Sequence, residues 1–141
     1  IMWSGGATHQ GIVAFAAAKD YSTVDDILEY AESKGEAPFV VVLDEVEDPH
    51  NLGAIIRTAE CAGVHGIIIP KRRSAGLSYT VAKASAGAIE YMRVARVTNI
   101  AVTLDELKEK GVWVYGADMD GTDYDECDFF WCVCNCYRQR R

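Results

Sequence analysis

The chain has 141 residues, of which 50% are hydrophobic, and its formal net charge at pH 7 is −7. This length and composition predict one globular domain with a real core and exclude a disordered chain. No apolar run reaches the roughly 18 residues of a membrane span, and no charged stretch precedes an apolar one at the start, so neither a span nor a signal peptide is predicted. The expected location is therefore the cytoplasm, and the acidity argues against a uniformly basic nucleic-acid surface.

Residues 1–36 are interpreted as a lead-in segment. Gly11–Phe15 is predicted as a short strand. Thr23 is predicted to cap a helix over Val24–Lys34, because threonine is a favoured N-cap, and Gly35 is predicted to end this helix.

From Pro38 onward, short apolar runs alternate with helical segments. The predicted strands are Phe39–Leu43, Val64–Ile69, Arg93–Val97 and Val112–Tyr115, and the predicted helices are Asn51–Ala62, Tyr79–Ala88 and one that ends at Gly111. Thr103 and Glu106 have the spacing of a capping box for that last helix. Continuous apolar runs are typical of parallel strands that are buried on both faces. The alternation therefore predicts an α/β fold with a parallel sheet and right-handed crossovers.

The tract Asn51–Gly63 places an asparagine, an arginine and several small residues at fixed spacing after a predicted strand. It resembles motif 1 of the SpoU/TrmH family of RNA ribose 2′-O-methyltransferases. The resemblance extends upstream to Leu43–Asp44 and Asp48–His50, and downstream to Ser85–Ala88 and Leu104–Gly111. It covers most of the chain and implies the SPOUT fold, a parallel-sheet domain that ends in a trefoil knot.

The resemblance also implies a division of the chain. Thr8–Ala14 is similar to a tract that closes a small RNA-binding domain in the subgroup acting on a guanosine of large-subunit ribosomal RNA. Residues 1–36 are thus interpreted as a remnant of that domain with a linking helix, and residues 37–130 as the N-terminal part of the SPOUT domain. The family's Gly-Ser/Asn-Glu-Gly turn and its closing segment, which build the S-adenosylmethionine pocket, are expected near residue 130 but do not follow. A partial domain, cut at both ends and without its knot-forming segment, is predicted.

The final eleven residues, Trp131–Arg141, are predicted to form no element of this fold. Read one base later, their codons can spell Gly-Val-Phe-Val-Ile-Val-Ile-Gly-Asn-Glu-Gly, an apolar strand followed by the missing motif. We therefore hypothesise an out-of-frame tail that begins at a T tract in the codons for Phe129–Trp131; the alternatives are a disordered tail and adventitious metal binding. Four cysteines crowd this end: Cys127, Cys132, Cys134 and Cys136. No metal site is expected, because alternate positions on one strand cannot easily surround a tetrahedral ion.

By resemblance, Arg57 handles the acceptor nucleotide during an in-line methyl transfer to a ribose hydroxyl. Lowering the pKa of an arginine from near 13 to near 7 would cost roughly 8 kcal/mol, so a neutral, basic Arg57 is disfavoured. Phosphate anchoring and stabilisation of the developing alkoxide are favoured instead. The alternative is a structural Arg57 that pairs with Glu60 or another acid at helical spacing.

Asn51 stands where the predicted helix begins, so its side chain could cap the amide of Gly53 or Ala54. By resemblance it also holds the catalytic loop against the RNA. Gly116 and Ala117 match the family loop that lies along one wall of the S-adenosylmethionine pocket.

Lys71, Arg72 and Arg73 follow a predicted strand and would lie at the carboxyl edge of the sheet, where α/β folds bind ligands. They are interpreted either as an RNA phosphate contact or as an ordinary solvated loop. Ser85–Ala88 and Gly53 are expected to serve packing rather than chemistry.

The resemblance implies a homodimeric enzyme that methylates RNA, with large-subunit ribosomal RNA as the expected target. The 141-residue chain alone is expected to bind S-adenosylmethionine weakly or not at all and to show no turnover. The competing interpretation is a non-catalytic RNA-binding fragment that uses the basic loop and the motif helix. An unrelated Rossmann-type protein is disfavoured, because the chain contains no Gly-x-Gly-x-x-Gly fingerprint.

Overall fold

The computed structural model describes residues 19–117 and 121–126 and the backbone of residues 133–138. The strand predicted at Gly11–Phe15 lies outside these residues. The helices are α1 (Val24–Lys34), α2 (Pro49–Cys61), α3 (Tyr79–Ala84) and α4 (Ile100–Glu109), with 3₁₀ turns at Ala88–Glu90 and Tyr124–Glu126. The strands are β1 (Phe39–Asp44), β2 (Gly66–Pro70), β3 (Arg93–Val97), β4 (Trp113–Ala117) and β5 (Val133–Arg138). No helix in the described part of the chain is long and apolar enough to cross a membrane.

The five strands form one sheet in the order β3-β2-β1-β5-β4, and every neighbouring pair is parallel. Val41 lies opposite Ile67, and Ile68 lies opposite Ala95. The predicted α/β fold with a parallel sheet is therefore confirmed.

Strand β5 contradicts the expectation that the tail forms no element of the fold. Its backbone pairs with β1 from Phe39 opposite Val133 to Asp44 opposite Arg138, and it pairs with β4 on its other side. The sequence does not predict this strand, because β5 contains polar residues and a central parallel strand is expected to be an apolar run.

The out-of-frame hypothesis concerns the DNA, and it stays a prediction. In the shifted frame the six positions of β5 would read Phe-Val-Ile-Val-Ile-Gly, which is the apolar pattern that a central strand favours. We expect resequencing from the codon for Asp128 to remove one base from the T tract and to open this frame. A sequence that stands as written would contradict the hypothesis.

The core lies in two layers, one on each face of the sheet, and the alternation of β2 divides it. Ile67 and Ile69 pack with the residues beneath α2 and α3, whereas Ile68 packs with those beneath α1 and α4. All three side chains are fully buried. A strand with both faces buried must be apolar at successive positions, which explains the continuous run in β2.

The helix caps agree with the sequence only in part. Thr23 caps α1, its hydroxyl accepting the amide hydrogen of Asp26, and Gly35 ends the helix with φ +68°. Helix α4, however, begins earlier than predicted: Asn99 is its cap and accepts the amide hydrogen of Val102. Thr103 lies inside the helix and donates its hydroxyl to the Asn99 carbonyl at 3.0 Å, so the predicted capping box is wrong.

Candidate active site

The carboxyl ends of β1 and β2 carry two loops that approach each other at one edge of the sheet. Glu45 follows β1, and Arg73 lies in the loop after β2. The Arg73 guanidinium donates to the Glu45 carboxylate at 3.0 Å, although the two residues are 28 positions apart. Both backbones are left-handed, with φ +56° at Arg73 and +59° at Glu45. The ion pair therefore holds the two loops together. The sequence analysis did not identify Glu45 as a residue that positions the loop of Arg73.

The basic loop, Lys71–Arg73, which is predicted to bind RNA, is held by hydrogen bonds to backbone carbonyls. The Lys71 amide donates to the Val97 carbonyl at 2.8 Å, and Arg96 donates to the Lys71 carbonyl at 2.9 Å. The Ser74 hydroxyl donates to the Pro70 carbonyl at 2.6 Å. These contacts fix the loop without using the Lys71 and Arg72 side chains, which are exposed and have no salt bridge within the described part of the chain. Both remain available to a phosphate.

Arg57 lies on α2 with an exposed side chain. Within residues 19–117 and 121–126 it forms no salt bridge, so the alternative pairing with Glu60 is absent. Arg57 stands eight residues along the helix from Pro49, about 12 Å from its start at 1.5 Å per residue. The fold therefore sets Arg57 back from the carboxyl edge, where the basic loop lies.

Asn51 is exposed and lies inside the first turn of α2. The cap is Asp48, whose carboxylate accepts the amide hydrogen of His50 at 3.1 Å, so the predicted capping role of Asn51 is wrong. Proline is favoured at the first helical position, and Pro49 starts the helix earlier than the sequence analysis expected. The Asn51 side chain is consequently free of that structural role.

Helix α2 packs closely against α3 at Gly53. A Cβ at this position would lie 2.5 Å from the Ala84 Cβ and 2.9 Å from the Val81 carbonyl oxygen. Ser85 is fully buried and donates its hydroxyl to the Ala82 carbonyl at 2.9 Å. The packing roles expected for Gly53 and Ser85 are confirmed.

Gly53→Ala is expected to lower the free energy of unfolding by about 2 kcal/mol. Overpacking against backbone atoms costs up to about 3 kcal/mol, and the better helix propensity of alanine returns about 1 kcal/mol. Urea denaturation measures the change. Gly116→Ala is the control, because a Cβ there would meet no atom within 4 Å among the residues that the structure describes. A stabilising Gly53→Ala would contradict the close approach of the two helices.

Gly116 and Ala117 end β4 and are both exposed. They pair with positions 136 and 137 of β5, so they lie where two neighbouring strands reach the carboxyl edge. No atom of the described residues lies within 4 Å of a Cβ built at Gly116, which leaves room there for a ligand against the β4 backbone. This arrangement fits a wall of a binding site.

At the amino ends of β1 and β2, on the side of the sheet away from the basic loop, lie a buried histidine and a tyrosine of α1 whose pKa is shifted. His65 accepts the Phe39 amide hydrogen at Nδ1 at 2.9 Å, and its Nε2 lies 2.9 Å from a Glu36 carboxylate oxygen. A hydrogen bond from Lys34 lowers the pKa of Tyr30.

A surface cavity of about 650 Å³ on this side is lined by Asp25, Glu29, Glu32 and Glu36 among others, and its acidity disfavours a polyanion. The described residues contain no His, Cys, Asp and Glu cluster suited to a metal ion.

The arrangement of the sheet is that of SpoU methyltransferases of known structure. An AdoMet-bound rRNA methyltransferase from Sinorhizobium meliloti superimposes with a TM-score of 0.68 at 27% identity, over 86% of this chain and 46% of that chain. The SpoU methyltransferase AviRb from Streptomyces viridochromogenes gives a TM-score of 0.66 at 22% identity, over 72% of this chain and 41% of its own.

The sequence comparisons agree with the fold. The family model of the SpoU rRNA Methylase family matches residues 38–135, and the chain belongs to this family. A Bacillus subtilis protein assigned to the TrmH family of tRNA/rRNA methyltransferases is 62% identical over 110 residues, which are 78% of this chain and 44% of that protein. A Staphylococcus haemolyticus protein with the same assignment is 55% identical over 119 residues, 84% of this chain and 48% of that protein. The chain thus spans about half the length of these relatives.

Proposed function

We propose that the whole protein transfers a methyl group from S-adenosylmethionine to a ribose 2′-hydroxyl of RNA. The proposed substrate is large-subunit ribosomal RNA, the proposed assembly is a homodimer, and the proposed compartment is the cytoplasm. The matched family, named for rRNA methylation, and the AdoMet-bound Sinorhizobium meliloti structure support the reaction class and the cofactor. The ribose acceptor and the subgroup rest on the resemblance of the motif residues.

The single observation that carries this proposal is that the Arg57 side chain is available to a ligand. Its side chain is exposed and has no salt bridge in the described ranges, on a helix inside the segment that the family model matches. An unpaired guanidinium keeps all five donors for a phosphate or for a developing alkoxide. Arg57 therefore orients the acceptor nucleotide and stabilises the charge that forms on the 2′-oxygen.

The other site residues have distinct roles in this proposal. Asn51, released from capping, holds the loop after β1 against the RNA. Lys71 and Arg72 contact phosphates, while Arg73 divides its charge between Glu45 and the RNA. Gly116 and Ala117 form one wall for S-adenosylmethionine, which supplies an electrophilic sulfonium methyl group when bound.

The second candidate is an RNA-binding fragment without catalysis, which the exposed Lys71 and Arg72 side chains favour. We propose that the 141-residue chain alone shows no turnover, because the resemblance assigns much of the cofactor pocket to motifs beyond its matched part. The chain alone and a chimera should therefore differ. The chimera joins this chain in frame to the remainder of the Bacillus subtilis relative, which is 62% identical over the shared segment.

The test incubates each protein with tritiated S-adenosylmethionine and a ribosomal RNA transcript, and then digests the RNA to nucleosides. We expect the chimera to yield 2′-O-methylnucleosides and the chain alone to yield none. Label in a base would contradict ribose methylation, and turnover by the chain alone would contradict its proposed inactivity. A chimera without product, combined with salt-dependent RNA binding by the chain, would favour the second candidate.

A further inference from the structure

Residues 71–97, which comprise the crossover from β2 to β3 and strand β3 itself, have the opposite net charge to the chain as a whole. Its basic residues are Lys71, Arg72, Arg73, Lys83, Arg93 and Arg96, and its acidic residue is Glu90. The complete chain, in contrast, has a net charge of −7. Positive charge concentrated on one segment of an acidic protein attracts a polyanion to that segment and away from the remaining surface.

Two tyrosines on this segment are exposed to an unusual degree. Tyr79 is the first residue of α3, and Tyr91 follows the 3₁₀ turn Ala88–Glu90. Each has 75% of its surface exposed. Tyr21 and Tyr30, in contrast, have partners: the Tyr21 hydroxyl accepts the Leu77 amide hydrogen, and cations cover the rings of Tyr21 and Tyr30. Within the described residues, neither the Tyr79 nor the Tyr91 side chain has a ring contact or a hydrogen bond.

Helix α3 also carries a cation, Lys83. Lys83 is four residues after Tyr79, a spacing that puts both side chains on the same face of α3. Lys83 is exposed and forms no salt bridge with any residue that the structure describes. An aromatic face next to an ammonium group offers stacking to a base and attraction to its phosphate.

The tyrosine-bearing segment is also packed against the helix that carries Arg57. Helix α2 contacts α3 at Gly53 and Ala84, and it contacts the 3₁₀ turn that precedes Tyr91. RNA held by Arg57 would therefore continue onto this segment.

We propose that Tyr79 and Tyr91, with Lys83, form a stacking surface for unpaired bases that flank the acceptor nucleotide. This inference rests on the proposed RNA substrate and adds a requirement to it: the RNA must present single-stranded nucleotides, as in a loop or a bulge. Bases in a continuous duplex are stacked on each other and offer no free face, whereas unpaired bases stack readily on aromatic side chains. The stacking surface therefore selects single-stranded over double-stranded RNA. It does not select a particular base, because every base has a face that can stack.

The experiment measures binding of the 141-residue chain by fluorescence anisotropy, with a short labelled single-stranded RNA and with the same RNA annealed to its complement. We expect tighter binding of the single strand. Tyr79→Ala and Tyr91→Ala should each weaken that binding about 5- to 150-fold, the equivalent of one lost base stack. Tyr79→Phe and Tyr91→Phe, which keep the rings, should bind like the wild type. Trp113→Ala is the matched control, because Trp113 is 63% exposed on β4, at the far edge of the sheet.

Salt dependence separates stacking from charge. The tyrosine variants should keep the wild-type slope of log affinity against log salt, whereas Lys83→Ala should flatten it by about 0.7 for one lost phosphate contact. Salt-dependent binding that is unchanged in both alanine variants would overturn the stacking surface and leave the RNA substrate standing. Failure of the wild-type chain to bind either RNA would overturn both. Self-association that is lost in the tyrosine variants, without RNA binding, would reassign the surface to a protein interface.

Discussion

Arg57→Ala in the chimeric enzyme is expected to lower kcat/KM for methyl transfer about 100- to 1000-fold, the cost of removing one preorganised donor from a developing oxyanion. The free energy of unfolding should change by less than about 0.5 kcal/mol, because an exposed side chain without a salt bridge contributes little to stability. Initial rates with tritiated S-adenosylmethionine and urea denaturation give the two numbers. Together they separate chemistry from folding.

Two further variants define what Arg57 does. Arg57→Lys keeps the charge but loses the planar fork, so it should recover only part of the rate. Glu60→Ala should be close to the wild type in rate and stability, because the structure shows no pair between these residues. A loss of stability common to Arg57→Ala and Glu60→Ala would establish the structural interpretation of Arg57.

Ile27→Ala and Gly66→Ala are each expected to destabilise the fold, and together they should cost less than the sum. Ile27 on α1 is fully buried, and a Cβ at Gly66 would lie 2.5 Å from its Cδ1 and Cγ1 atoms. Ile27→Ala opens a cavity at about 2 to 5 kcal/mol, and Gly66→Ala overpacks the same space at about 1 to 3 kcal/mol. The new methyl group at position 66 fills part of that cavity, so a coupling energy of about 1 to 2 kcal/mol is expected.

A double-mutant cycle by urea denaturation measures this coupling. The control pairs Gly66→Ala with Leu52→Ala, a fully buried residue in the layer on the other face of the sheet, for which additive costs are expected. Additivity of the Ile27 and Gly66 changes would show that the helix and the strand do not meet as the structure describes.

The elements that the sequence predicts well are those with local signals. Helix α1 has the predicted bounds because Thr23 and Gly35 mark its two ends, and β3, Arg93–Val97, also has the predicted bounds. The start of α4 was missed because Asn99 and Thr103 are both capable caps, and the sequence alone does not rank them.

The features that the sequence does not predict depend on distant parts of the chain. The ion pair between Arg73 and Glu45 joins two loops that only the sheet brings together. Strand β5 takes its place from pairing with β1, which begins 94 positions earlier at Phe39 opposite Val133. The exposure of Tyr79 follows from the way that the short helix α3 meets its neighbours, and periodicity does not report it. The sequence motif indicates the type of chemistry, but whether a motif side chain is exposed to a ligand depends on the folded structure.

The position of β5 also decides the order in which the domain can assemble. Strand β4 reaches β1 only through β5, which follows the other described strands in the chain. The three strands β1, β2 and β3 can pair during synthesis, while β4 has no neighbour in the described sheet until β5 has been made. Joining strands so far apart in the chain is slow, since the entropy of closing the loop comes before any contact. Translation thus supplies β1, β2 and β3 first, and β5 then joins β4 to them in the described sheet.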